Sequence, residues 1–384
     1  MKTLIKNVNV VTAKEVINNG AVVIEDGLIV KIGQDTASEV IDGKGAYLIP
    51  GFIDLHCHGG IGLDFIDCSV EEMEKLSSFH LSHGTTTMLA TTLTARPEIT
   101  ENCLKTFGEY KEKNPDGILI GMHMEGPWFS PAQCGAQDPF NMAKPSKKEI
   151  ERIKEQYPFV LRASVAPELD GAMEFGRKGS ELGVVISVGH TDADFDTVVK
   201  ASENGYTLMT HFYSGMKGVE RVNSYRVAGA VEAGYYLDDM DVEIIADGKH
   251  LPYSLLKLIY KIKGADKIAL ITDATRGCGF PNGTKTFIGP KQDAMEIIID
   301  DDVAKLGQGS FAGSTATYDR LYRTMADAVG KDFVALSKMA STTPARIMGF
   351  KDRGEIAVGK RADLILMSEN LEIEKIIYKG NIVK

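Results

Sequence analysis

Six residues of types that bind metal or move protons, His56, His58, Glu125, His190, His211 and Asp273, each stand at the downstream end of a short apolar run. Neutral imidazole and carboxylate are the ligands that hold a catalytic divalent metal while leaving a position open for water. The runs read as parallel strands separated by helices. In a (β/α)8 barrel the C-terminal ends of all eight strands meet at one face, where catalytic residues sit. Residues spread over more than half the chain then converge on one pocket, which predicts a metal-dependent hydrolase.

His56 and His58 are two apart on a strand, so both face the same way and Cys57 faces the other. Glu125 ends an apolar strand and precedes Gly126-Pro127; a carboxylate there binds one metal or bridges two. His123, two residues earlier on the same face and deeper, is expected to be a hydrogen-bonding barrel residue. A lone histidine is more often structural than a ligand. His190 and His211 stand at successive strand ends, with Glu125 two strands earlier, and that pattern favours ligation. His80 and His83, on a helix and its end, are expected to be structural. Asp273 ends the eighth strand, where a carboxylate beside a metal site takes a proton from water and returns it to a leaving group. His250 follows Asp247-Gly248-Lys249 and is placed to donate a hydrogen bond to a substrate carbonyl.

The elements that must position these groups follow the same alternation. Barrel strands are expected at 49–55, 85–92, 118–124, 160–165, 184–188, 207–210, 242–246 and 268–272. Helices are expected at 70–83, from Pro97, and at 147–156, 172–182, 195–204, 253–261, 315–329 and 333–340. The stretch after residue 210 reads as irregular, and 277–305, rich in Gly, Asn and Asp turns, as a hairpin near the pocket. Both chain ends are β-prone: 4–11, 21–25, 28–32 and 46–49 at one, 363–367, 373–378 and 382–383 at the other. Neither end has enough strands for a stable sheet, so pairing the two into a small β-sandwich is expected. The division predicted is α/β: a (β/α)8 TIM barrel over 50–354 and a β-sandwich domain from 1–49 and 355–384.

The length of 384 residues suits that division, since a barrel alone takes about 250. A net charge of −10 argues against nucleic acid and anionic membrane as partners, though a local basic patch would still admit an anionic small molecule. The five widely spaced cysteines, with no CxxC, fit reduced thiols in a cytoplasmic protein, and no apolar run approaches the roughly 20 residues of a membrane helix.

The chain resembles the N-acetylglucosamine-6-phosphate deacetylases of the amidohydrolase superfamily. The resemblance runs through Pro50-Gly51-Phe52-Ile53-Asp54-Leu55-His56-Cys57-His58-Gly59, Glu125-Gly126-Pro127-Trp128, Gly189-His190-Thr191 and Thr210-His211-Phe212-Tyr213. It continues in Ile245-Ala246-Asp247-Gly248-Lys249-His250, Thr272-Asp273-Ala274 and Ala312-Gly313-Ser314. The resemblance implies metal ligands at Glu125, His190 and His211, with His56 and His58 serving a second site, Asp273 as base and acid, and His250 on the acetamide oxygen. It implies a divalent metal, with zinc put first and iron, nickel or manganese as alternatives, one or two per subunit. It also implies a homodimer and an amino-sugar substrate. The family's Asn-Ala-Met reads Ser214-Gly215-Met216 here, leaving backbone to contact sugar. Gln137 stands where some members carry a substrate-binding histidine. The family arginine that reaches a phosphate across the dimer falls on or near Asn223, which leaves Arg226, Arg221 and Lys249 as candidate cations, Arg226 first. A different N-acyl substrate, unphosphorylated or of galactosamine type, is the alternative. A metal- or sugar-binding module without catalysis would have no use for Asp273.

Overall fold

The apolar runs are eight parallel strands in the computed structural model, which describes residues 2–384. They are Phe52–Cys57, Thr85–Thr91, Leu119–Glu125, Val160–Val165, Val185–Val188, Tyr206–Met209, Asp241–Ile244 and Ile268–Leu270. They pair in chain order in one parallel sheet, with helices on the outside, as a (β/α)8 barrel requires. Each crossover helix lays an apolar stripe on this sheet. Ser69 and Glu72 form a capping box on Val70–Ser82, and Ser146 and Asp194 cap Lys147–Gln156 and Phe195–Ser202.

The seam between the first and eighth strands is closed by backbone hydrogen bonds, among them His58 N to Ala274 O at 2.8 Å, together with a side chain. Buried Asp54 accepts from the backbone N and the Oγ1 of Thr272 at 3.2 and 2.6 Å, and from the N of His56 at 3.3 Å. Asp273 N then donates to His56 O at 2.9 Å, which places the last ligand-type residue beside the first. Asp54→Ala orphans these donors at about 1–3 kcal/mol each. A clear drop in denaturation midpoint is expected, and an unchanged midpoint would show that the seam closes without Asp54.

Two levels fill the barrel. Ile53, Leu55, Leu89, Ile245 and Ile271 cluster with Ala345, against which Ile347, Met348 and Phe350 pack. A second, polar group contains His123, Arg162, Ser164, Ser187, Thr210 and Glu243, all buried. Cys57 turns away from this interior into the strand–helix core, as its parity requires, and all five cysteines are free.

The chain ends form one hydrogen-bonded sheet of eight strands. Its order is Asn381–Ile382, Ile373–Tyr378, Leu364–Met367, Tyr47–Pro50, Lys2–Val11, Val16–Glu25 and Leu28–Ile32, with Glu39–Asp42 also on Lys2–Val11. Lys2–Val11 makes the sheet continuous. Its first half pairs with Glu39–Asp42, its second with Tyr47–Pro50, and its ladder to Val16–Glu25 shifts register twice. Ile5, Val10, Ile29, Leu48, Leu364 and Ile377 share one core inside it.

Two segments differ from the sequence expectation. The 277–305 region is not a lone hairpin: Lys285–Ile288, Met295–Asp300, Val303–Leu306 and Phe311–Ser314 form a four-stranded antiparallel sheet. The fourth strand, Phe311–Ser314, supplies pocket residues of its own. The stretch after residue 210 contains a short hairpin, Glu220–Val222 with Tyr225–Val227, and the helix Ala230–Tyr236. Asn223 and Ser224 turn the hairpin with φ of 48° and 72°, the left-handed pair that a two-residue connection needs. No helix among the described residues is long and apolar enough to cross a membrane.

Candidate metal centre and active site

All six residues come together at the C-terminal mouth of the barrel. Glu125 is the hub: its Oε1 lies 2.9 Å from His211 Nε2, 3.5 Å from His190 Nε2 and 3.3 Å from His56 Nε2. Its Oε2 lies 3.3 Å from His58 Nε2. Two ligand-type triads result, His56–His58–Glu125 and Glu125–His190–His211, each with its ligand atoms within 4.8 Å of one another. Asp273 Oδ1 is 3.1 Å from His58 Nε2 and 3.4 Å from His56 Nε2.

The donor set fits a cation. His190 Nδ1 donates to Gln133 O at 2.8 Å and His211 Nδ1 to Ser214 O at 3.1 Å. Those bonds place the ring protons on Nδ1 and leave lone pairs on both Nε2 atoms. The two Nε2 atoms face each other at 3.2 Å, an arrangement that repels unless positive charge lies between or beside them. The electrostatics point the same way. Burial works against charge on His56, yet the carboxylates of Glu125 and Asp273 hold it up at about 9. Burial raises Glu125 and Asp273, but the surrounding histidines outweigh it and keep both below the usual carboxylate range. The mouth of the barrel is a place for positive charge, and both carboxylates are ionised.

Backbone geometry aims these groups. His190, His211 and Asp273 have φ of 46°, 28° and 47°, in the left-handed region where a side chain other than glycine is strained by about 1–3 kcal/mol. Three such residues, just past the ends of the fifth, sixth and eighth strands, turn their side chains inward over the mouth. Gly215 lies beside them with φ of 58°, and a Cβ there would come within 2.9 Å of His190 Nδ1.

A cavity of about 270 Å³ opens over the centre. His58, Glu125, His190, His211 and Asp273 form its floor; Gln137, Ser214, Gly215, His250, Ile288 and Phe311 line it further. His250 Nδ1 is 2.8 Å from Asp247 Oδ2, and its ring packs edge-on against Phe311 with centroids 4.9 Å apart. Burial raises Asp247, but its bond to His250 outweighs this and holds it below the ordinary range.

Some candidate residues sit differently from what their type suggested. Gln137 lines the cavity, but its Nε2 donates to Glu125 Oε2 at 2.6 Å and its Oε1 accepts from Thr94 N at 2.7 Å. Its amide is engaged with the hub carboxylate. Arg226 is absent from the lining; it lies on the exposed hairpin directly across from Arg221. Lys249 is also outside the lining and pairs with Asp301 at 2.6 Å. His123 donates or accepts at Ser164 Oγ at 2.7 Å, below the mouth. His80 is buried against Gly59 O, and His83 pairs with Asp319. Thr94, Gln133 and Phe311 carry no signal in a single sequence, because each acts through a contact from a distant segment.

Residues 47–383 match the amidohydrolase family model. Over 391 aligned residues the chain is 32% identical to an N-acetylglucosamine-6-phosphate deacetylase of Bacillus subtilis (strain 168), covering 99% of this chain and 96% of that one. The chain belongs to the N-acetylglucosamine-6-phosphate deacetylase family of amidohydrolases. A solved member of the family, from Thermotoga maritima, superposes with a TM-score of 0.89 at 31% identity, over 99% of each chain. An N-acetylgalactosamine-6-phosphate deacetylase of Escherichia coli O157:H7 is 30% identical over 94% of this chain and 93% of its own. Membership of this metal-dependent family makes the chain a hydrolytic enzyme.

Proposed function

We propose that the chain removes acetate from an N-acetylhexosamine 6-phosphate, with N-acetylglucosamine 6-phosphate as the first substrate. The observation that carries the reading is Glu125, shared by two imidazole pairs under a cavity that also holds Asp273 and His250. We assign one divalent cation to Glu125, His190 and His211 and a second to His56, His58 and Glu125. Zinc is put first, and iron, nickel or manganese suit the same ligands. When bound, the metal supplies an acidified water and a Lewis acid for the acetamide oxygen.

The chain's own groups do the rest. Asp273, ionised and 3.1 Å from His58 Nε2, takes the proton from water as the new C–O bond forms. It returns that proton to nitrogen as the C–N bond breaks, releasing acetate and the free amine. His250 donates from Nε2 to the acetamide oxygen. Its Nδ1–H is already committed to Asp247, so this role needs the doubly protonated ring, for which Asp247 is the counter-charge. Ser214 and Gly215 contact the sugar from the rim, and Gln137 holds Glu125 while its remaining N–H reaches substrate.

The distal end of the substrate calls for an arginine or lysine, and the cavity lining of one subunit has neither. We assign it to Arg226, presented by the hairpin of a second subunit in a homodimer. Support comes from the hairpin's exposed apolar surface, with Val222 at 47% and Tyr225 at 78% exposure, and from a guanidinium fork that suits phosphate. The proposed setting is cytoplasmic, with 50–354 as the catalytic unit and 1–49 with 355–384 as a β unit beside it.

Acetate release from N-acetylglucosamine and N-acetylgalactosamine, each with and without the 6-phosphate, tests the reading. The second sugar is included because of the galactosamine-type relative. Arg226→Ala is expected to raise KM for the phosphorylated sugar far more than for its unphosphorylated analogue, with kcat little changed. A wild-type enzyme indifferent to the phosphate would overturn the 6-phosphate assignment and leave the deacetylase chemistry standing.

A further inference from the structure

Directly below the metal centre lies a fully buried ion pair that the chemistry above does not use. Arg162, on the fourth barrel strand, bonds through Nη1 and Nη2 to the two carboxylate oxygens of Glu243, on the seventh; the Nη2 bond measures 2.6 Å. Both side chains have no exposure. Barrel interiors are ordinarily filled by branched apolar side chains, and taking two ions out of water is costly even when they are paired. The pair is further tied in. Arg162 donates to Leu55 O at 3.0 Å, the carbonyl just before His56, and to Thr210 Oγ1 at 3.1 Å, just before His211.

Glu243 faces one atom that lacks a partner. His56 Nδ1 is buried with no hydrogen bond among the described residues, and Glu243 Oε2 stands 3.6 Å from it. His190 and His211 have their Nδ1 atoms fixed by backbone carbonyls. At His56 only a carboxylate is on offer, and an imidazole that is to ligate through Nε2 must carry its proton on Nδ1.

We propose that Glu243, locked in place by Arg162, is the positioning residue for His56: it accepts the Nδ1 proton and so presents the Nε2 lone pair to the His56–His58–Glu125 site. A closure of a few tenths of an ångström makes the hydrogen bond. Arg162 keeps the carboxylate from rotating away and ties the pair to the first strand's backbone. This rests on the metal reading above.

The test compares wild type with two double variants in which no charge is left unpaired. Arg162→Met/Glu243→Leu removes the acceptor. Arg162→Met/Glu243→Gln restores an acceptor oxygen without the charge. Zinc affinities are measured by competition with a chromogenic chelator, and zinc per subunit by elemental analysis. Wild type is expected to hold two cations. The Leu variant is expected to weaken one by about 10–100-fold and leave the other unchanged, and the Gln variant to recover most of the loss. Wild-type affinities in the Leu variant, or a Gln variant as weak as the Leu variant, overturn the proposal. So does a single wild-type cation whose affinity is untouched by His56→Ala. A wild-type chain that binds no metal instead sinks the metal reading itself. Nitrogen-15 spectra of histidine-labelled, zinc-loaded wild type give the tautomer directly, however the variants fold. The proposal expects the His56 proton on Nδ1, and a proton on Nε2 overturns it.

Discussion

Glu125→Ala is expected to abolish deacetylation and strip the metal. The carboxylate is the one group common to both triads, with Oε1 turned toward His56, His190 and His211 and Oε2 toward His58. Removing it deletes a ligand from each set and the negative charge that offsets two cations. What remains is four imidazoles with Nε2 atoms facing in pairs at 3.2 Å, which repel one another without a cation. His190→Ala and His211→Ala are expected to weaken metal retention as well, each emptying one triad of a ligand. Elemental analysis of the three purified variants is the check. Full metal occupancy in all three would refute the ligand assignment, whatever their activity.

Asp273→Asn is expected to leave the protein folded and metal-loaded and to lower kcat by several orders of magnitude. One act of general acid or base catalysis is worth about 10²–10⁴, and here a single carboxylate serves first as base and then as acid. Asparagine keeps the shape of the side chain and an oxygen toward His58, so substrate affinity is expected to change little. The histidines around Asp273 outweigh its burial and keep it ionised, the form a base must have. Asparagine cannot take a proton at all. Turnover near that of wild type would mean that another group is the base.

These two variants concern residues legible in the sequence, and the reason is geometric. Side chains alternate along a strand, so His56 and His58 share a face and Cys57 does not. Apolar runs alternating with amphipathic stretches imply a parallel barrel, and a barrel gathers its strand ends at one mouth. Residue type, parity and position at a strand's end therefore mark Glu125, His190, His211 and Asp273 before any coordinates exist. The eight strands observed fall on the eight runs expected, with ends differing by a few residues.

Other features of the site depend on where distant segments meet. Gln137 is 12 residues from Glu125, yet their contact exists only because the intervening loop folds back over the mouth. Arg162 and Glu243 are 81 residues apart; each alone reads as a charge in a strand, and only the closed barrel makes them a pair beneath His56. Asp54 reads as one polar residue in an apolar run until the first strand is brought against the eighth. The left-handed φ at His190, His211 and Asp273 likewise carries no local signal: histidine and aspartate enter this region more often than most residues, yet only in a small minority of cases, and the surrounding fold imposes it here. The sheet over 285–314 brings Ile288 and Phe311 to the pocket, where turn residues alone suggested a hairpin. By itself the sequence determined the barrel, the parity of its strands and the kinds of ligand at its mouth, since those follow from periodicities within single elements. Only the tertiary structure decided that Glu125 lies within reach of all four imidazoles, that Gln137 meets Glu125 and Arg162 meets Glu243, and that Arg226 lies outside the cavity, because those are distances between segments that no local pattern encodes.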